Sequence, residues 1–244
     1  MTRVYQAVAL SVGSSLVLDE AASHHLSRVL RAGVDETITL FNGEGGEYQA
    51  KITNIAKKNV TVLVQSFNDR EVESPLHLTL AQGMARGEKM DFIIQKACEL
   101  GVNVIQPLIT SRCNVKLEGE REEKRLLHWQ AVIQSACEQS GRNRLPCIAA
   151  PISISQWVAK VEAELKLVLT PWSESAVNLR ELKNIKSAAL LIGPEGGLSE
   201  DEVGMAVHHQ FQALKLGARV LRTETATVVG LSVVQTYLGD LLRG

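Results

Sequence analysis

The sequence predicts an α/β protein: a largely parallel sheet interleaved with helices over residues 75–244, preceded by a small β-rich domain over residues 1–72. Three observations carry this. Strand alternation, with Val60, Val62 and Val64 on one face, dominates the first 66 residues. Beyond Pro75, short apolar runs take turns with amphipathic stripes. One of those runs, Ser187–Gly193, is apolar nearly throughout, as a strand covered on both faces is.

Taken in order, Thr37–Phe41 leads into the turn-forming stretch 42–46, Tyr48–Ile55 returns, and Val60–Gln65 completes a β-meander. A helix is expected from Glu20 to Arg31, with Asp19 as N-cap and Gly33 after its end. Phe67–Pro75 is polar and charged and marks the domain boundary. Leu76, Leu78 and Leu80 then alternate as a strand. Met90, Ile93, Ile94, Ala97 and Cys98 fall at i, i+3, i+4, i+7 and i+8, the stripe of an amphipathic helix, and Gly101 stands where a C′ glycine would end it. Val102–Thr110 reads as a strand, Glu120–Gln139 as a long charged helix, Gln156–Leu165 as a third helix and Lys166–Thr170 as a strand. Ser199 caps a helix to His209, Phe211–Leu216 is the last strand and Thr223–Leu242 the last helix. That helix is apolar along Val228, Leu231, Val234, Leu238 and Leu241, and again along Val229, Val233 and Tyr237. It therefore wants burial on more than one face.

Composition excludes several classes. Of 244 residues, 45% are hydrophobic and 22% charged, so the chain has enough apolar surface to fold. Aromatics are 4%, which makes the core aliphatic. With 26 basic and 27 acidic residues, bulk electrostatic coating of nucleic acid is excluded, and any such binding must use local patches. Only residues 75–147, with 10 basic against 8 acidic residues, are net positive. Cys98, Cys113, Cys137 and Cys147 show no C-x-x-C spacing, which predicts reduced thiols in a cytoplasmic protein. The apolar run Val4–Leu18 is interrupted by Gln6, Ser11 and Gly13, unlike a signal peptide, and Ala226–Leu238 is too short and too polar to span a membrane. His24-His25 and His208-His209 do not predict a metal site, because adjacent helical residues point about 100° apart.

Chemistry is expected on two loops. In Leu191-Ile192-Gly193-Pro194-Glu195-Gly196-Gly197-Leu198-Ser199 a buried strand runs through a glycine-rich loop into a capped helix. Ligands of open α/β sheets bind at such carboxyl ends, and glycines let backbone N–H groups approach them. Ser199 and Glu202 have capping-box spacing, and the acidic helix start disfavours a phosphate ligand. Leu216-Gly217-Ala218-Arg219-Val220-Leu221-Arg222-Thr223-Glu224 repeats the construction with two arginines, suited to planar or anionic groups. Lys89 and Lys96 on one helix face, with Arg112, Arg142 and Arg144, are the candidate basic patch; a merely solvated surface is the alternative. P-loop, zincin, α/β-hydrolase and dinucleotide fingerprints are absent.

These segments, with Gly-Glu-Lys at 87–89, Gln-Lys-Ala-Cys-Glu-Leu-Gly-Val at 95–102 and Cys-Glu-Gln-Ser-Gly-Arg-Asn-Arg-Leu-Pro at 137–146, resemble the bacterial 16S ribosomal RNA uridine N3-methyltransferases of the SPOUT superfamily. Arg3, His24-His25, Val29-Leu30-Arg31 and Phe41-Asn42-Gly43 resemble that family's PUA-like domain, so the likeness spans nearly the whole chain. Leu198 and Val220 depart from the commoner Phe and Ile. The resemblance implies a PUA-like barrel followed by a trefoil-knotted SPOUT domain, S-adenosyl-L-methionine as methyl donor, a homodimer, and 16S rRNA within the small ribosomal subunit as partner. It places the donor against Leu169, Thr170, Gly193, Pro194, Gly196, Gly197, Leu216, Gly217, Val220, Leu221 and Arg222. Uridine N3 must lose a proton to attack the methyl group, so a base and a charge stabiliser are needed. Arg222 is the expected stabiliser and Glu195 or Glu224 the expected base, unless those carboxylates serve only structure. Arg3, His25, Arg28, Arg31, Lys89, Arg112, Arg142 and Arg144 are the expected RNA contacts. Two other readings stay open: a SPOUT enzyme with a tRNA base or ribose 2′-hydroxyl as target, and a non-catalytic RNA-binding protein.

Overall fold

The valine alternation folds as expected, into β3 (Thr37–Phe41), β4 (Glu47–Ile55) and β5 (Val60–Asn68), paired antiparallel in sequence order. With β1 (Arg3–Tyr5) parallel to β3 and β2 (Ser15–Val17) antiparallel to β5, they form a five-stranded sheet of order β1-β3-β4-β5-β2. Two register shifts, at Gln49/Ala50 and Ile52/Asn54, bend β4 against β5. Val60, Val62 and Val64 are fully buried with Leu26, Leu40 and Ile52 in the core of this unit. The computed structural model describes residues 2–57, 59–113, 119–171 and 176–242. It divides the chain into two units, one of residues 1–73 with 137–145, the other of 74–136 with 146–244. Residues 137–145, placed by the sequence reading inside the later domain, thus cluster with the first.

Polar pairing explains that assignment. Arg142 donates from Nε to Glu73 Oε1 (2.8 Å) and from Nη2 to Glu73 Oε2 (2.5 Å). Arg3 pairs with Glu47 and donates to Asn143 Oδ1 (2.6 Å), and Asn143 Nδ2 donates to the Arg70 carbonyl (2.7 Å). The expected helix from Glu20 is only half α. Asp19 caps it by accepting from the Ala22 N–H, and α1 covers Glu20–His24. The turn His25–Val29 then winds as a π-helix, with the Leu30 N–H on the His25 carbonyl. The Ser27 hydroxyl donates to the Ser23 carbonyl (2.7 Å), the acceptor an α-turn would give to the backbone.

The second unit carries a sheet in which every recorded pairing is parallel. Its strands are β6 (His77–Gly83), β7 (Val104–Ile109), β8 (Cys147–Ile148), β9 (Ile152–Ser153), β10 (Leu165–Leu169), β11 (Ser187–Ile192) and β12 (Gln212–Leu214). The order is β12-β10-β11-β6-β7-β8, with β9 also on β7. The apolar run becomes β11, flanked by β10 and β6 and buried from Ala188 to Ile192. The helices are α2 (Glu88–Glu99), α3 (Glu120–Ser140), α4 (Ile154–Val158), α5 (Glu200–His208) and α6 (Thr223–Tyr237). Helix α2 buries the predicted residues Met90, Ile93, Ile94, Ala97 and Cys98. Gly101, at φ 74°, ends it: its N–H reaches the Cys98 carbonyl and that of Val102 reaches Ala97. This is a Schellman closure, which the left-handed glycine permits.

Two helices differ from expectation. The third was expected over 156–165, but α4 starts at Ile154 behind a Ser153–Gln156 capping box and stops after Val158, and Leu165 already opens β10. The last helix stops at Tyr237 instead of reaching Leu242. Its inner stripe, Leu231, Val234 and Leu238, is buried, whereas Val229, Val233 and Tyr237 stay half-exposed. No described helix is long and apolar enough to cross a membrane. Cys147 is exposed, Cys113 half-buried and Cys98 and Cys137 buried. Among the described residues, no cluster of three or more His, Cys, Asp or Glu side chains could hold a metal ion.

Candidate functional site

Strands β12, β10 and β11 lie side by side and parallel, so their carboxyl ends and the loops that leave them share one edge of the sheet. A cavity of about 690 Å³ opens there. Its size falls in the range of small-molecule sites, ~300–1,000 Å³. The loop after β10 brings Leu169 and Thr170 to its wall. The loop after β11 brings Gly193, Pro194, Gly196 and Gly197, and the loop after β12 brings Leu216, Gly217, Val220 and Leu221. The sequence reading had grouped all of these. It had also included Arg222, but Arg222 is exposed at the N-cap of α6 and is not a wall residue. The arginines on the wall are Arg112 and Arg219.

The glycine loop after β11 is folded back on itself. The Gly197 N–H donates to the Pro194 carbonyl (2.9 Å). A Cβ on Gly193 would stand 2.8 Å from both the Gly197 carbonyl carbon and the Leu198 nitrogen. Only glycine tolerates that approach, because both obstacles are backbone. The loop is also held from outside. Arg112 donates from Nη1 to the carbonyls of Gly196 (3.0 Å) and Leu198 (3.3 Å). Glu202, buried at 6% exposure, accepts from the Ser111 N–H (2.7 Å) and the Ser199 N–H (2.8 Å), while Ser199 Oγ accepts from the Glu202 N–H (3.2 Å). The predicted capping box is present, and it also clamps the turn after β7 to the loop.

The candidate carboxylates separate in chemistry. Glu195 is on the cavity wall, and its Oε1 accepts from the Arg86 N–H (3.1 Å) and lies 3.4 Å from Lys89 Nζ. Burial pushes its pKa up. The backbone hydrogen bonds of Arg86 and of Glu195 itself, with Lys89, outweigh that and hold the carboxyl below its ordinary value. A carboxylate held ionised is a weaker proton acceptor, which counts against Glu195 as the base. Glu224, in the first turn of α6, is not a wall residue. Its Oε2 is shielded from solvent and has no hydrogen-bond partner among the described residues.

The expected RNA contacts divide as well. The side chains of Arg3 and Arg142 are 13% and 5% exposed and bound in ion pairs, because Glu47 and Glu73 need partners once shielded from water. Arg144 is half-exposed and ion-paired to Glu71 (2.9 Å). Lys89 faces Glu195, and Arg112 serves the loop carbonyls. His25, Arg28 and Arg31 stay exposed on and after the π-helix. The sequence reading missed Val203, Gly204 and Val207, which bring one side of α5 to the cavity. Their i, i+1, i+4 spacing was the available signal. It also missed Gln82, Thr223 and Thr227, buried polar side chains beneath the loop; no local pattern marks them.

Comparisons with known proteins agree with this geometry. The RNA methyltransferase domain family matches residues 72–235, and the RNA methyltransferase PUA domain family matches residues 18–65. The chain is 34% identical to ribosomal RNA small subunit methyltransferase E of Buchnera aphidicola subsp. Schizaphis graminum, over 98% of this chain and 97% of that protein. A solved methyltransferase E from Neisseria gonorrhoeae, bound to S-adenosyl methionine, is 39% identical with a TM-score of 0.91, covering 98% of this chain and 99% of that one. A Legionella pneumophila structure in complex with the cofactor SAM is 41% identical with a TM-score of 0.93, over 98% and 99% of the two chains. Matched along both units, the chain belongs to the RNA methyltransferase family whose catalytic domain follows a PUA domain.

Proposed function

We propose that this chain is an S-adenosyl-L-methionine-dependent methyltransferase that modifies N3 of a uridine in 16S rRNA of the small ribosomal subunit. The observation that carries the reading is the cavity at the ends of β10, β11 and β12, in a chain whose relatives of similar fold were solved with that donor. The wall fits such a ligand. Glycine backbones allow close approach, and Arg112, Arg219, Glu195 and Glu200 offer both signs of charge to a molecule that carries both. When bound, S-adenosylmethionine supplies a methyl group made electrophilic by its sulfonium.

The rest falls to the protein. Leu169, Thr170 and the 193–197 and 216–221 loops hold the donor. Arg222, exposed next to the wall residues Leu221 and Thr223, serves to stabilise the N3 anion and its flanking carbonyl oxygens. Glu224 is the candidate base, because its Oε2 is shielded and has no hydrogen-bond partner among the described residues, while Glu195 is already engaged by the Arg86 N–H and Lys89. His25, Arg28 and Arg31 are the RNA contacts of the PUA unit. The half-exposed stripe Val229, Val233 and Tyr237, with exposed Leu241 and Leu242, supports a homodimer. The all-parallel order of the second sheet is compatible with the SPOUT trefoil knot, which belongs to the same proposal.

The test is calorimetric titration of S-adenosylmethionine into the purified protein, with ATP and NADH as controls, and then mass spectrometry of nucleosides from small subunits incubated with enzyme and donor. Selective binding and N3-methyluridine are expected. Absence of donor binding both alone and with small subunits would reject the enzyme. A different methylated nucleoside would reassign the target.

A further inference from the structure

Beneath the glycine loop lies a sealed polar network that the donor-binding reading does not use. Gln82, near the end of β6, is 0% exposed, and so is Thr227; Thr223 is 6% exposed. Gln82 pairs in register with Ile192, the last residue of β11, so its side chain sits where that strand gives way to the loop. Gln82 Nε2 lies 3.1 Å from the Gly193 carbonyl, 2.9 Å from the Gly83 carbonyl and 3.0 Å from Thr223 Oγ1. Thr223 Oγ1 in turn donates to the Gly193 carbonyl (2.7 Å), and Thr227 Oγ1 donates to Gln82 Oε1 (2.7 Å).

This arrangement permits one orientation of the amide. Turned over, Gln82 would set its own carbonyl oxygen against two backbone carbonyls, whereas Thr227 Oγ1, which also lies 2.9 Å from the Thr223 carbonyl, can serve either orientation. The Gly193 carbonyl takes the Thr223 hydroxyl and shares the two Gln82 N–H groups with the Gly83 carbonyl and Thr223 Oγ1, which holds its peptide plane. That plane sets the direction in which the chain leaves β11. Gly193 and Thr223 are both wall residues, one on the loop after β11 and one on the first turn of α6. Gln82 thus couples two walls of the cavity without itself being a wall residue.

We propose that Gln82 is a positioning residue for the methyl donor: acting through the Gly193 carbonyl and Thr223, it holds the two loops at the spacing that binds S-adenosylmethionine. The inference rests on the donor-site reading above. A purely structural role would make Gln82 equivalent to any other buried glutamine. The same unit supplies that comparison. Gln235 is 1% exposed, donates to the Leu100 carbonyl (2.8 Å), accepts from Ser74 Oγ (2.9 Å) and is not a wall residue of the cavity.

The experiment measures S-adenosylmethionine affinity by calorimetry, donor and RNA KM values, and the melting temperature for wild type, Gln82→Met, Gln235→Met and Thr227→Val. Both methionine variants lose buried hydrogen bonds and should melt lower. Gln82→Met should weaken donor binding about tenfold or more and raise the donor KM without raising the RNA KM, whereas Gln235→Met should keep donor affinity within about twofold. Thr227→Val keeps the shape but removes the hydroxyl partner of Gln82 Oε1 and of the Thr223 carbonyl, and should weaken donor binding several-fold; it decides the matter if Gln82→Met does not fold. Wild-type affinity in Gln82→Met or in Thr227→Val, or equal losses in the two methionine variants, would overturn the inference. Failure of the wild-type protein to bind the donor would instead overturn the donor-site reading, and the inference with it.

Discussion

Replacing Arg142 by alanine separates a structural arginine from an RNA-binding one. In the structure its guanidinium is 5% exposed and meets Glu73, itself 12% exposed, through two parallel hydrogen bonds of 2.8 and 2.5 Å. The variant takes this bidentate partner from a carboxylate that stays shielded from water. Removing one member of a buried ion pair costs about 3–5 kcal/mol, most of it the penalty on the charge left behind. At about 1.4 kcal/mol per factor of ten, that is a loss of two to three and a half decades in the stability of the unit that holds the pair. The assay is native-state amide hydrogen exchange of the intact chain, read in peptides covering β3, β4 and β5, whose most protected amides exchange through opening of that unit. Exchange there should accelerate by about 100-fold to several thousand-fold, with peptides of α2 and β11 nearly unchanged. Arg142→Met combined with Glu73→Leu removes both charges and should recover most of the loss. If Arg142→Ala left this exchange within about tenfold of wild type while weakening rRNA binding and flattening its salt dependence, the buried-pair argument would be refuted and the arginine restored as a phosphate contact.

Glu195 gives a pH prediction. Its folded pKa is depressed, so the stabilisation from its ionised form is fully present above the ordinary carboxylate value of 4.5 and is lost as pH falls through the lower folded value. Between pH 6 and 9 Glu195→Gln should therefore keep the wild-type shape of the activity profile, and a shifted or lost acidic limb would return Glu195 to the role of base. Glu224→Gln should instead lower kcat strongly while sparing donor affinity; unchanged turnover would remove it from the mechanism. Gly193→Ala places a methyl group 2.8 Å from backbone atoms that cannot turn aside. Overpacking of this kind costs about 1–3 kcal/mol, which if expressed at the site is about a fivefold to 150-fold loss of donor affinity by calorimetry. Arg112→Ala frees the carbonyls of Gly196 and Leu198, so donor affinity should fall several-fold while the salt slope of rRNA binding stays at its wild-type value; a flattened slope would mark Arg112 as an RNA contact.

What the sequence determined by itself was whatever a short stretch of chain can encode. The stripe Met90, Ile93, Ile94, Ala97 and Cys98 is a helix face because period 3.6 admits no other reading, and the glycine at 101 can take the φ of 74° that ends it. Ser187–Ile192 is buried because an unbroken apolar run needs cover on both faces. The two glycine loops were legible as cavity walls because each follows a strand and precedes a helix. Tertiary structure alone decided which charges meet. Arg142 and Glu73 are 69 residues apart and Arg3 and Asn143 are 140 apart, so nothing near any of them distinguishes a buried ion pair from a solvated basic patch. The same holds for Gln82, whose partners Gly193 and Thr227 lie 111 and 145 residues away. A buried polar group is defined by the partners that replace water around it, and those partners come together only when the chain has folded.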